Sequence, residues 1–70
     1  MGAVNRLTLN GAPSAVDAGA TVGSLVDATV PNRRGVAVAV NDEVVPRSQW
    51  DHTHLREGDR VEILTAAQGG

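Results

Sequence analysis

The residues with most chemical potential in this chain stand at its end. The last five, Ala66-Ala67-Gln68-Gly69-Gly70, carry no bulky side chain. A terminal glycine pair is thin and conformationally permissive, so such a segment suits a narrow channel in a partner. Fully extended, five residues reach roughly 17 Å, enough to carry the α-carboxylate of Gly70 into a catalytic centre while a folded body stays outside. A free carboxylate is a poor electrophile. Adenylation by ATP makes it a reactive acyl phosphate, and a persulfide on another protein then displaces AMP and leaves sulfur on the carbonyl. The chain has no Cys. If it handles sulfur, no side-chain thiol is there to hold it. The competing reading of a bare Gly-Gly end is a frayed terminus, since termini are often small and disordered. Here the tail follows directly on a strong strand pattern, with no polar filler.

Other candidates are weaker. His52 and His54 stand two apart and share a face on an extended segment. A metal site needs a full ligand set, and no third ligand is obvious, so solvated loop histidines are the preferred reading and no metal is expected. Asp42, Glu43, Glu57, Asp59 and Glu62 lie near two turns. They suit either an acidic patch that speeds encounter with a basic partner or ordinary turn chemistry, and the latter is favoured. Ser14, Ser24 and Ser48 have no Gly-x-Ser-x-Gly context, which argues against hydrolase chemistry. Trp50 is the only aromatic residue and reads as a core anchor for its connector, with an exposed partner hot spot as the alternative. No residue is assigned a catalytic role.

Composition narrows the class. Seventy residues allow one domain. A domain this small buries only ~60% of its unfolded surface. Its apolar set is mostly Val, Ala and Leu, which favours a sheet packed on one helix. Net charge is −2, all six basic residues are Arg, and they form no stripe with stacking aromatics, which argues against nucleic-acid binding. No apolar run approaches the ~20 residues of a membrane span, and the N-terminus lacks signal-peptide character. A cytoplasmic location is therefore expected.

The elements that must position the tail are legible in order. Val4 to Leu9 reads as a strand with Leu7 and Leu9 on one face. Asn10-Gly11 marks a type I′ hairpin turn. Ala12 to Val16 is the returning strand, placed at an edge by Pro13. Thr21 caps a helix over residues 22–30, with Val22, Leu25, Val26 and Val30 at helical spacing and Pro31 as its stop. Val36-Ala37-Val38-Ala39-Val40 has only apolar residues, which predicts a central strand buried on both faces. Asn41-Asp42-Glu43 is a tight turn, Val44 and Val45 return, Arg47 to Trp50 suits one helical turn, and Asp51 to Arg56 is a connector. Glu57-Gly58-Asp59 turns into a last strand, Val61 to Thr65. First and last strands can pair in parallel with the helix across one face. This predicts an α+β, β-grasp (ubiquitin-like) fold with a mixed sheet of about five strands and one main helix. Residues 1–65 form the domain and residues 66–70 a flexible tail, expected to be mobile because nothing in it docks on a core.

Two stretches then carry a family resemblance. Val38-Ala39-Val40-Asn41-Asp42-Glu43-Val44-Val45-Pro46-Arg47-Ser48-Gln49-Trp50 resembles the ThiS family, the sulfur carrier proteins of thiamine biosynthesis, as does Leu55-Arg56-Glu57-Gly58-Asp59-Arg60-Val61-Glu62-Ile63-Leu64 followed by Gly69-Gly70. Leu9-Asn10-Gly11 and Gly19-Ala20-Thr21-Val22 fit as well. The resemblance implies a carrier and co-substrate, not an enzyme, with no cofactor of its own. It implies a ThiF-type adenylyltransferase that activates Gly70, and a cysteine desulfurase or rhodanese-like donor that converts it to a thiocarboxylate. The thiazole synthase ThiG then takes the sulfur. Gly70 matches the modified position and Gly69 the penultimate glycine, while Gln68 and Ala67 complete the stretch that enters the partner's channel.

Three rivals stay open. A MoaD-like carrier for molybdopterin synthesis shares fold and tail chemistry, although Pro46-Arg47 and Trp50 argue against it. A ubiquitin-like protein modifier would be unable to build chains on itself, since the sequence has no Lys. A non-covalent interaction module would keep its function without Gly70.

Overall fold

Local turn chemistry starts the fold. Strand β1 (Val4–Leu9) and strand β2 (Ala12–Asp17) pair antiparallel through Asn10-Gly11. Both turn residues take positive φ, 52° and 84°, as a type I′ turn requires. Residues 2–66 are described by the computed structural model; Met1 and Ala67 to Gly70 lie outside the described residues.

Helix α1 (Val22–Thr29) begins at a reciprocal cap. The Ser24 backbone N–H donates to Thr21 Oγ1 at 3.1 Å, and the Thr21 N–H donates to Ser24 Oγ at 2.9 Å. Two of the helix's orphan donors are answered this way. The helix ends one residue earlier than the sequence predicts. Val30 is extended at φ −126°, ψ 153°, because the residue before a proline is pushed out of the helical region.

Strands β3 (Val36–Val40) and β4 (Glu43–Val44) pair antiparallel across Asn41-Asp42, which both take positive φ. A 3₁₀ helix over Arg47–His52 follows, two residues longer than the expected single turn. Strand β5 (Arg60–Thr65) then inserts between β1, in parallel, and β3, antiparallel. The sheet order is β2-β1-β5-β3-β4. This is the mixed five-stranded sheet that the sequence predicts, with Pro13 on the edge strand β2.

One face of the sheet carries the core. Leu7, Val38, Val61 and Ile63 pack with Val22, Leu25 and Val26 of α1, and Trp50 and Leu55 complete the cluster. The expectation for β3 needs correction. It is an interior strand, but only Val38 is buried and Ala37 is exposed. The single helix covers one face alone, and alanine leaves little apolar surface on the other. An unbroken apolar run cannot by itself distinguish two covered faces from one covered face and one lined with small residues.

Candidate functional site

The tail starts where β5 ends, so its root is the part of the candidate site that the structure describes. Ala67, Gln68, Gly69 and Gly70, the predicted tail residues, lie outside the described residues. The root is set by pairing. Thr65 stands opposite Val36, and one step further the Ala66 N–H donates to the Gly35 carbonyl at 2.8 Å. Gly35 has φ +67°, a conformation that side chains rarely adopt.

Two asparagines fix the strand that delivers the root. Asn10 Nδ2 donates to the Ile63 carbonyl at 3.2 Å, and the Ile63 N–H donates to Asn10 Oδ1 at 2.9 Å. The side-chain amide thereby continues a short parallel ladder in which only Thr8–Arg60 and Leu9–Val61 are in register. On the other flank the Arg60 N–H donates to Asn41 Oδ1 at 2.9 Å, and Asn41 Nδ2 donates to Asp59 Oδ1 at 3.0 Å. Both asparagines sit in hairpin turns at φ 52°. The same residue type thus supplies the left-handed turn and a clamp on β5.

The loop that offers Gly35 is held by charge and by an aromatic ring. Arg33 pairs with Asp27 at 2.9 Å and with Asp51 at 3.0 Å. Its guanidinium carbon lies 5.6 Å from the Trp50 ring centroid, and that of Arg47 lies 5.8 Å away. Arg47 also donates to the Arg33 carbonyl at 3.0 Å. The hydrogen bond from Arg33 holds the Asp27 carboxyl below the usual carboxylate range, outweighing an opposing desolvation, with direct charge attraction adding to the lowering. Those bonds, Asp27 first and Asp51 second, raise Arg33 above an already basic value. Gly23 leaves the room for this cluster, because a Cβ there would collide with the Asp51 carboxylate.

The sheet's uncovered face adjoins the root. Leu64 is 65% exposed and stands opposite Ala37, and Val44, 75% exposed, stands opposite Ala39. The root thus leaves the fold beside an apolar strip.

The remaining predicted residues are distributed as follows. Trp50 is the core anchor, 1% exposed, with Nε1 donating to the Val45 carbonyl at 2.8 Å. His52 and His54 are exposed and line an open depression of about 440 Å³ with Thr53, Arg56 and Asn41. Three of the five acidic residues work locally. Asp42 pairs with Arg60, Glu57 accepts the Arg6 N–H, and Asp59 accepts the Arg56 N–H. Glu43 and Glu62 are exposed on the surface. The Asp42 hydrogen bond raises Arg60 above its ordinary value. Ser24 is spent on the helix cap. Gly35, Arg33 and the two asparagine clamps escaped the sequence reading. Apart from Asp27, six positions from Arg33, their partners lie far away in sequence, and only the Pro46-Arg47 and Trp50 spacing hinted at this cluster.

A mixed sheet that clasps one helix, with β5 in its middle between β1 and β3, defines the ubiquitin-like β-grasp class. The ThiS family model matches residues 7–70. The sulfur carrier protein ThiS of Escherichia coli is 34% identical over 53 residues, covering 76% of this chain and 80% of that protein. A thiazole synthase of Paramagnetospirillum magneticum is 34% identical over 65 residues; the match takes in 93% of this chain but spans only 20% of that protein's length. The crystal structure of the thiamine biosynthesis protein ThiS from Geobacter metallireducens superposes with a TM-score of 0.77 at 40% identity, over 93% of this chain and 99% of that one. The NMR solution structure of a thiamine biosynthesis protein from the same organism gives a TM-score of 0.76, over 93% and 87% of the two chains. The chain belongs to the ThiS family.

Proposed function

We propose that this protein is a sulfur carrier of thiamine biosynthesis, and that Gly70 is its working residue. The carrying observation is that the family match spans residues 7–70 and so takes in Gly69 and Gly70. The described fold supports it, because the central strand β5 leads directly to Ala66, four residues before Gly70.

The chemistry follows from a terminal carboxylate. One of its oxygens attacks the α-phosphorus of ATP in a ThiF-type adenylyltransferase, and pyrophosphate leaves. The terminal sulfur of a persulfide, on a cysteine desulfurase or rhodanese-like donor, attacks the acyl carbon. AMP leaves, and an acyl disulfide forms. A second donor thiol then attacks the sulfur on the donor side. The S–S bond breaks, the two donor thiols end as a disulfide, and Gly70 keeps a thiocarboxylate. That sulfur passes to the thiazole synthase ThiG. The P. magneticum match supports this partner, since a stretch resembling this chain occupies part of a thiazole synthase polypeptide. The protein is a co-substrate in these steps rather than a catalyst. Residues 1–65 act as the docking body, and Ala67, Gln68, Gly69 and Gly70 as the segment that enters the partner.

Intact mass after incubation with ATP, a ThiF-type enzyme and a sulfur donor tests the reading. A gain equal to exchange of one oxygen for sulfur is expected, and its loss on deletion of Gly70. No gain with partners shown to be active on another carrier would refute it, and would favour a protein modifier or a non-covalent module. Adding thiazole synthase or a molybdopterin synthase to the loaded chain separates the two carrier pathways.

A further inference from the structure

We infer that Gly35 is a positioning residue for the terminal carboxylate: its missing side chain and its carbonyl set the place and direction in which the tail leaves the fold. The inference rests on the reading of Gly70 as the activated residue.

Four residues separate Ala66 from the end of the chain. Fully extended they reach roughly 14 Å, a short tether whose point of exit bounds where the reacting group can go. The root is defined by the Ala66 N–H on the Gly35 carbonyl at 2.8 Å, one step beyond the Val36–Thr65 pair. A Cβ at Gly35 would stand 3.1 Å from the Cβ of Ala66. Gly11 and Gly58 also have positive φ, but a Cβ on either would meet nothing within 4 Å. Those two glycines serve a turn. Gly35 serves a turn and a close approach to the tail root.

The loop behind Gly35 cannot easily give way. Arg33 is tied to Asp27 and Asp51, and its carbonyl accepts from Arg47. A side chain at position 35 therefore displaces Ala66 rather than the loop. A 3.1 Å contact demands a shift of a few tenths of an ångström, and since ~1 Å of misplacement can cost ~100-fold in rate, the effect here is several-fold.

Gly35→Asn isolates the contact, because Asn tolerates the left-handed region yet carries a Cβ. The assay is ATP-dependent pyrophosphate release by a ThiF-type enzyme with the full chain as substrate, resolved into kcat and KM. A kcat roughly three- to ten-fold lower is expected, with KM within about two-fold, since the docking body is unchanged. Ala66→Gly on that background removes the clash and restores most of the rate. A folded Gly35→Asn chain with wild-type kcat, or a loss that Ala66→Gly does not relieve, overturns the inference. A measurement on the unaltered protein covers a variant that does not fold. The Ala66 amide should exchange with solvent far more slowly than an unstructured amide, and exchange at the unstructured rate overturns the inference too. If the wild-type chain releases no pyrophosphate with an enzyme proven on another carrier, the activation reading itself fails and takes the positioning role with it. Slow Ala66 exchange would then remain only as a feature of the fold.

Discussion

Trp50 concentrates more structural work than any other single side chain. It is the largest fully buried residue, it donates to the Val45 carbonyl, and two guanidinium groups lie over its ring. Truncating a buried aromatic residue costs ~3–5 kcal/mol. A small domain commonly has ~0.05–0.15 kcal/mol of stability per residue, so Trp50→Ala is expected to leave the chain largely unfolded at room temperature. Trp50→Phe keeps a ring but orphans the Val45 carbonyl, and should lower stability by ~1–3 kcal/mol in a urea titration. Asp27 gives a pH signature. Arg33 holds its pKa below the unfolded value, so its contribution is present above that value and fades as pH falls through the folded one. Asp27→Asn should therefore lose stability at pH 7 and lose less on acidification below about pH 4 than wild type does. The pair is largely solvent-exposed, so high salt should shrink the difference. Thermal melts across pH and salt check both points; parallel pH curves for the two proteins would contradict the assignment.

At the scale of elements, the asparagine clamps decide how β5 is held. Asn10→Gly keeps the turn geometry but removes both side-chain bonds to Ile63. A loss of ~1–3 kcal/mol is expected, with faster amide exchange along β5 and little change in β2. Loss of protection in β2 first would show that Asn10 matters only to its own hairpin. The cap is a simpler case, and Thr21→Ala should cost ~1 kcal/mol by chemical denaturation. These elements also show what a sequence reveals. The Asn-Gly turn, the Thr21 cap and the Pro31 stop are local signals, and the structure honours each. The Asn10–Ile63 clamp spans 53 positions, and no local pattern announces a partner at that distance. The covered face of β3 was hidden for a different reason. Five apolar residues in a row erase the alternation that tells one face from the other.

On the scale of the whole molecule, the chain carries few strong nucleophiles of its own. It contains neither Lys nor Cys, and all its basic residues are Arg. The reading of Gly70 as an acyl adenylate predicts a consequence of adding an amine. Leu64→Lys places one on the open face near the root, where Leu64 is 65% exposed. With ATP and activating enzyme but no sulfur donor, that variant should form a self-adduct with loss of one water, seen by intact mass. The wild-type chain and a Gly70-deleted Leu64→Lys chain should not. A clean Leu64→Lys chain under conditions that consume ATP would count against a reactive terminus within reach of its own surface. The tail chemistry was legible because Gly-Gly and the missing Cys are compositional facts. The root was not, because Gly35 and Arg33 come from one segment and Arg47 and Trp50 from another, and only folding brings the two together.

The ring beneath those two arginines has an optical consequence. With no Tyr and no Phe in the chain, ultraviolet emission from this protein comes from one buried indole. That indole touches the loop whose carbonyl receives Ala66. Its emission wavelength and its quenching by added iodide become a label-free gauge of the loop on which the tail root rests. A partner that grips the tail and shifts this loop should therefore be visible as a change of colour in the protein's own fluorescence, before any sulfur has moved.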